Sequence, residues 1–170
     1  SLMGWQIPII TDNTHYKATI ENIPINNIFK LLNNEEIVIV PGFQGVTSEN
    51  RISTLGRGGS DTSAVAIAAS IKAERCDIYT DVDGVYTADP RMVPKAKKLK
   101  KISYEEMLEM ASQGAKVLQT RSVALAMKNK LKINVLSSFE DKEGTFVVDE
   151  EEIMEKNIVS GIAFSLDEAK

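Results

Sequence analysis

The chain has 170 residues, enough for one domain with a sizeable core and too few for two full ones. Apolar residues make up 43% and charged residues 26%, a soluble globular balance, and the net charge of −4 supplies no basic field for nucleic acid. One cysteine, Cys76, excludes an internal disulfide and fits a reducing, cytoplasmic setting, while one histidine, His15, leaves neither a zinc ligand set nor a well-placed base for a Ser-His-Asp triad.

Ser1-Leu2-Met3-Gly4-Trp5 carries neither the basic nor the apolar region of a signal peptide. The longest apolar stretches, residues 37–40 and 64–69, fall far short of a membrane span, so no membrane partner is expected. Residues 28–32 read as a short helix and residues 33–36 as an acidic-polar turn. Ile37-Val38-Ile39-Val40 is a continuous β-branched run, the pattern of a strand buried on both faces of a parallel sheet, ended by Pro41-Gly42. Asp61 or Thr62 is expected to open an alanine-rich helix through residues 64–72, and residues 76–80 form a second buried strand. Ser103-Tyr104-Glu105-Glu106 fits a capping box for a helix that Gly114 stops. A helix from about Lys116 to Lys130 and strands at residues 133–136 and 145–148 complete an α/β pattern, expected to be a three-layer α/β/α sandwich on a mainly parallel sheet. Asp149, Glu150, Glu151 and Glu152 begin an acidic linker, after which residues 158–164 read as one further strand.

Three stretches carry chemistry. Thr54-Leu55-Gly56-Arg57-Gly58-Gly59-Ser60-Asp61 runs straight into a helix: its glycines let backbone approach a ligand, the helix start offers unpaired N–H groups, and Arg57 adds a guanidinium fork. A glycine-rich turn capped by Ser60 or Asp61 is the plainer alternative. The segment matches neither a dinucleotide fingerprint nor a Walker A loop. Tyr79-Thr80-Asp81-Val82-Asp83-Gly84-Val85-Tyr86-Thr87-Ala88-Asp89-Pro90-Arg91 lies beyond the carboxyl end of a strand, where ligands of open α/β sheets sit, and its spacing does not fit a calcium loop. In Gly114-Ala115-Lys116-Val117-Leu118, a lysine at a helix start would act with the helix dipole on an anion such as a polyphosphate. Lys95, Lys97, Lys98, Lys100 and Lys101 form a basic run that reads as solvated surface.

Read together, Gly42-Phe43-Gln44-Gly45-Val46-Thr47, residues 54–61, residues 78–91, residues 102–109 and Gly114-Ala115-Lys116-Val117-Leu118 with Arg121 resemble the aspartokinases of the amino acid kinase family, in order and spacing, over residues 5–164. The resemblance implies transfer of the γ-phosphoryl of ATP, with Mg2+ held mainly through the phosphates, to the side-chain carboxylate of L-aspartate. It implies that Arg57, Gly58, Gly59 and Ser60 contact aspartate and that Asp61 and Lys116 are catalytic, Asp61 orienting the cationic groups. Tyr79, Thr80, Val85, Tyr86, Thr87, Ala88, Asp89, Pro90 and Arg91 would hold the nucleotide, with Lys116 on its phosphates, and no protein metal site is implied. Residues 1–148 then form the C-terminal, nucleotide-binding part of the catalytic domain, residues 149–157 a linker, and residues 158–170 the start of a regulatory, ACT-like domain. The family's Lys-Phe-Gly-Gly and Ser-Thr-Gly-Glu segments have no counterpart in the chain, and Gln119-Thr120 stands where His-Pro is usual. The 170 residues alone are therefore expected to have negligible kinase activity, a nucleotide-binding lobe that needs a partner being the alternative reading. Their incomplete sheet is expected to expose an apolar edge that favours self-association or a homo-oligomer.

Overall fold

The computed structural model describes residues 6–115, 117–153 and 161–163. The chain divides into two compact units, Ser1–Ala73 and Glu74–Lys170. The first holds a four-stranded mixed sheet built from β1 (Ile10–Thr11), β2 (Ile20–Asn22), β3 (Gln44–Thr47) and β4 (Ile52–Thr54), in the order β2-β1-β3-β4. Only β1 and β3 run parallel; the other two pairs are antiparallel. Helix α1 (Asn26–Asn33) contains the expected 28–32 segment, and α2 (Gly59–Ser70) follows β4. Ile7, Ile9, Ile28, Leu55 and Val65 are buried here.

The second unit contains β5 (Arg75–Thr80), β6 (Lys101–Ser103), α3 (Tyr104–Ser112), α4 (Thr120–Asn129), β7 (Lys132–Ser137) and β8 (Thr145–Val148). Its strand order is β5-β7-β8-β6, with β5–β7 and β6–β8 parallel and β7–β8 antiparallel. The α/β class therefore holds, as two mixed sheets among the described residues and not as one mainly parallel sheet. Ile78, Ile102, Ile133, Val135 and Val147 are buried in this unit, with Met107 and Met110 of α3 and Val123 and Ala126 of α4. The Tyr104 hydroxyl donates to the Leu131 carbonyl at 2.9 Å, tying α3 to the segment that leads into β7. Burial is the first cause that holds this phenol's pKa up at about 12, and the nearby carboxylates of Glu152, Asp149 and Glu105 add to it.

Four expectations need correction. Residues 37–40 form no strand, and Ile37 is 91% exposed. β-Branched residues favour a pleated ribbon, but no described strand offers this run a ladder to join. β5 is not buried on both faces: Cys76 and Ile78 are buried while Tyr79 is 64% exposed, because successive side chains of a strand point to opposite faces and only the face of Cys76 and Ile78 is covered. α2 starts at Gly59, before Asp61, since the preceding glycines already turn the backbone into helical register. α4 starts at Thr120 and not near 116; Val117 and Leu118 form a bend, and Lys116 lies outside the described residues. Of the last expected strand, only residues 161–163 are described.

The capping box is present in both directions. The Ser103 hydroxyl accepts from the Glu106 N–H at 3.2 Å, and the Glu106 carboxylate accepts from the Ser103 N–H at 3.0 Å. Ser103→Ala leaves an N–H of α3 without its acceptor and is expected to cost about 1 kcal/mol in urea denaturation. A midpoint equal to that of the unmodified chain would count against the cap as a support of α3.

Candidate functional site

The first cluster is the turn from β4 into α2. Gly56 has φ +76° and Gly58, the cap of α2, φ +70° and ψ +17°. These left-handed conformations suit glycine, and they reverse the chain within a few residues. A β-carbon on Gly56 would stand 2.4 Å from the Tyr16 carbonyl oxygen, and one on Gly59 would stand 2.9 Å from both Leu55 Cβ and Phe43 Cδ2. The turn is thus packed from beneath. Backbone and side-chain bonds lock it: Leu55 N–H donates to Phe43 O at 3.0 Å, Phe43 N–H donates to Ser63 Oγ at 3.1 Å, and Ser63 Oγ donates to Gly59 O at 2.7 Å.

This geometry leaves donors facing outward. Gly58 has no side chain to cap α2, and the N–H groups of Ser60 and Asp61 have no acceptor among the described residues. Ser60 and Arg57 are exposed, and Arg57 forms no ion pair among the described residues. Two backbone donors at a helix start, a hydroxyl and a guanidinium suit a carboxylate or phosphate oxygen. Asp61 sits in the first turn, half-buried, and burial pushes its carboxyl above the usual aspartate range. Arg57, Gly58, Gly59, Ser60 and Asp61 follow one another through this turn and the start of α2.

The second cluster lies at the carboxyl ends of β5 and β7. Thr80 closes β5, its hydroxyl pairing with the Val82 N–H at 2.9 Å in a tight turn. The chain then bends through residues 81–84 and returns with Val85 buried. The Val85 N–H donates to Thr145 Oγ1 at 2.8 Å, which in turn donates to Leu99 O at 2.6 Å. Tyr86 donates its hydroxyl proton to Asp83 at 3.0 Å. Burial works to raise the Asp83 carboxyl, yet the hydrogen bonds from Tyr86 and Lys98 together outweigh it and hold the group below the usual range.

Tyr79, Thr80, Val85, Tyr86, Thr87, Ala88, Asp89, Pro90 and Arg91 all belong to this one loop and strand end. Arg91 is not free, however. Its guanidinium grips Asp89 through two bonds of 3.1 and 2.9 Å, and this pairing is the main cause that lowers the Asp89 pKa. A ligand that recruits Arg91 must compete with that pair, an exposed one and so a weak one.

Sequence reasoning missed Ser137, Ser138 and Phe139. Thr80 and Ser137 are partners in the parallel ladder, Ser138 N–H donates to Thr80 O at 2.8 Å, and Phe139 is 80% exposed just beyond. The signal was the pairing itself: if β5 and β7 are parallel neighbours, the residues after each must share one end of the sheet. The basic run also departs from uniform solvation, since Lys98 is partly buried with its ammonium 3.2 Å from Asp83.

The chain matches the model of the amino acid kinase family over residues 2–137. The aspartate kinase of Pseudomonas putida is 56% identical over 171 residues, covering 100% of this chain and 42% of that protein. The aspartokinase of Rickettsia felis is 52% identical over 163 residues, 95% of this chain and 41% of that one. The chain thus spans about two-fifths of the length of these relatives. Among solved structures, aspartokinase III of E. coli in complex with aspartate and ADP aligns with a TM-score of 0.73 at 35% identity, covering 87% of this chain and 34% of that one. UMP kinase of Bacillus anthracis aligns with a TM-score of 0.57 at 21% identity, a likeness of fold alone.

The raised Asp61 carboxyl makes a prediction with a definite sign. A folded chain that holds this proton longer than the unfolded chain does loses stability as pH rises through about 3.9 and on through the folded value. Asp61→Asn removes the cost of burying the charge. It is expected to raise the urea midpoint at pH 7 and to leave it nearly unchanged at pH 3. A variant less stable than the unmodified chain at pH 7 would overturn this account of Asp61.

Proposed function

We propose, from the premise that this chain belongs to the amino acid kinase family, that it is part of an aspartate kinase. One observation supports the reading above others: the turn carries exposed Arg57 and Ser60 together with the N–H groups of Ser60 and Asp61, which have no acceptor among the described residues, a donor set that suits a carboxylate. In the reaction, a side-chain carboxylate oxygen of L-aspartate attacks the γ-phosphorus of ATP, the bond from that phosphorus to the β,γ-bridging oxygen breaks, and ADP leaves with 4-phospho-L-aspartate as product. The attacking carboxylate is already ionised at neutral pH, so no general base has to remove a proton. That suits a chain whose only histidine, His15, is exposed beside Tyr16. Catalysis is then a matter of positioning and of neutralising charge on the transferred group.

The roles are those that the family resemblance implies. Arg57, Gly58, Gly59 and Ser60 hold aspartate, Asp61 orients the cationic groups, and Lys116, outside the described residues, neutralises the phosphates. Residues 79, 80 and 85–91 hold the nucleotide beyond the ends of β5 and β7, where the exposed rings of Tyr79 and Phe139 offer stacking surfaces for a base. Mg2+ held through the phosphates would supply further neutralisation of their charge. We assign residues 1–148 to the nucleotide-binding part of the catalytic domain, 149–157 to a linker that opens with the 3-10 turn Glu150–Glu152, and 158–170 to the start of a regulatory domain. The proposed pathway is the biosynthesis of lysine, threonine and methionine in the cytoplasm; no described helix is long and apolar enough to cross a membrane.

Self-association belongs to the same proposal, supported by the exposed side chains of Ile37, Ile39 and Ile52. Light scattering of the 170-residue chain at high concentration is expected to give a mass above that of a monomer, and a clean monomer would count against it. For the nucleotide, Mg-ATP at about a hundred times its dissociation constant is expected to stabilise the chain by roughly 2.7 kcal/mol. Absence of any thermal shift would sink the nucleotide assignment. A coupled assay for acyl phosphate separates the two readings of the chain: stabilisation without turnover marks a binding lobe, and turnover marks a kinase active in these residues alone.

A further inference from the structure

One lysine of the basic run is unlike its neighbours. Lys95, Lys97 and Lys100 are exposed, whereas Lys98 is partly buried and its ammonium donates to Glu143 O at 2.6 Å and to Asp83 Oδ2 at 3.2 Å. The Tyr86 hydroxyl reaches the same Asp83 carboxylate, so one anion accepts from both side chains. Residues 85–87 and 97–99 are stitched together by the Tyr86–Lys98 bridge, by Leu99 N–H to Val85 O at 2.8 Å, and by Thr87 N–H to Lys97 O at 2.9 Å.

Gly84 shows how closely Lys98 covers the loop. Its φ is +148°, and a β-carbon there would stand 3.0 Å from Lys98 Cδ and 2.6 Å from Thr145 Oγ1. The lysine stem and the Thr145 hydroxyl thus press on the loop at the same residue. Thr145, fully buried on β8, holds Val85 through its hydroxyl, while the Lys98 ammonium holds Asp83. Nothing in this brace reaches the exposed residues Tyr79, Asp81 and Arg91 at the two ends of the segment; it fixes the backbone between them.

We propose that Lys98 is a positioning residue for the nucleotide: clamped to Asp83 and Glu143, it presets the 81–87 loop without touching the ligand. The inference rests on the reading of residues 79–91 as the nucleotide loop. Because the loop is shaped before the ligand arrives, less ordering is left for binding to meet, and losing the clamp shows as weaker affinity.

The test compares Lys98→Met, which keeps the stem and loses the charge, with Lys98→Arg and with Lys97→Met, an equal loss of charge at an exposed neighbour. Mg-ADP is titrated calorimetrically into each full chain, and amide hydrogen exchange is followed without ligand. Lys98→Met is expected to weaken Mg-ADP about tenfold and to speed exchange at residues 82–87 while β7 and α3 keep their rates. Lys98→Arg should bind within about twofold of the unmodified chain, and Lys97→Met should match it. If Lys98→Met does not fold, Asp83→Asn, which leaves the stem over Gly84, carries the same expectation. Unchanged affinity in the variant, or equal weakening by Lys97→Met, would overturn the inference and leave the nucleotide reading standing. An unmodified chain that binds no Mg-ADP would remove that reading first, and the inference with it.

Discussion

Six residues of β5 stand in parallel register with six of β7, from Arg75 opposite Lys132 to Thr80 opposite Ser137. That ladder decides where chemistry can gather in the second unit. Parallel strands release their following loops at the same end of a sheet, so the segments after Thr80 and after Ser137 must share it. The bond from Ser138 N–H to Thr80 O is the first consequence, and exposed Tyr79 and Phe139 lie near that same end, one at the end of β5 and one just past β7. A sheet whose strands met antiparallel at this point would have sent the two segments to opposite ends.

The first unit solves a different problem by other means. Its turn before α2, the proposed carboxylate site, has the space around its glycines filled. The Tyr16 carbonyl under Gly56, and Leu55 with Phe43 under Gly59, leave no room for a side chain. Phe43 itself lies at φ +69°, a conformation that is costly for a non-glycine residue and that persists here because both of its backbone polar groups are bonded. Rigid support below and open donors above are the usual requirements of a binding turn.

How much of this was legible in the sequence depended on the range of the interactions involved. The capping box of Ser103 and Glu106 was readable because both partners lie within one helical turn. The glycine turn into α2 was readable for the same reason, apart from a boundary two residues early. Residues 37–40 misled because β-branching reports a preference for extended backbone and says nothing about whether a ladder partner exists. Lys98 looked like one of five surface lysines because its anion, Asp83, is fifteen residues away and is reached only through the pairing of residues 85–87 with 97–99. Arg91 reads as a nucleotide contact only through the family resemblance, and its pairing with Asp89, two residues back on the same turn, shows in the structure.

Tyr104 shows how a single anchored hydroxyl can define an upper boundary for the molecule. Its proton is spent on the Leu131 carbonyl, and burial holds the phenol's pKa at about 12 in the folded chain, against about 10 in the unfolded one. In strongly alkaline solution the unfolded chain therefore gives up a proton that the fold retains, so the balance tilts toward unfolding as pH climbs through that interval. The tie between α3 and the entry to β7 is accordingly indifferent to any near-neutral medium and becomes a point of weakness in caustic ones.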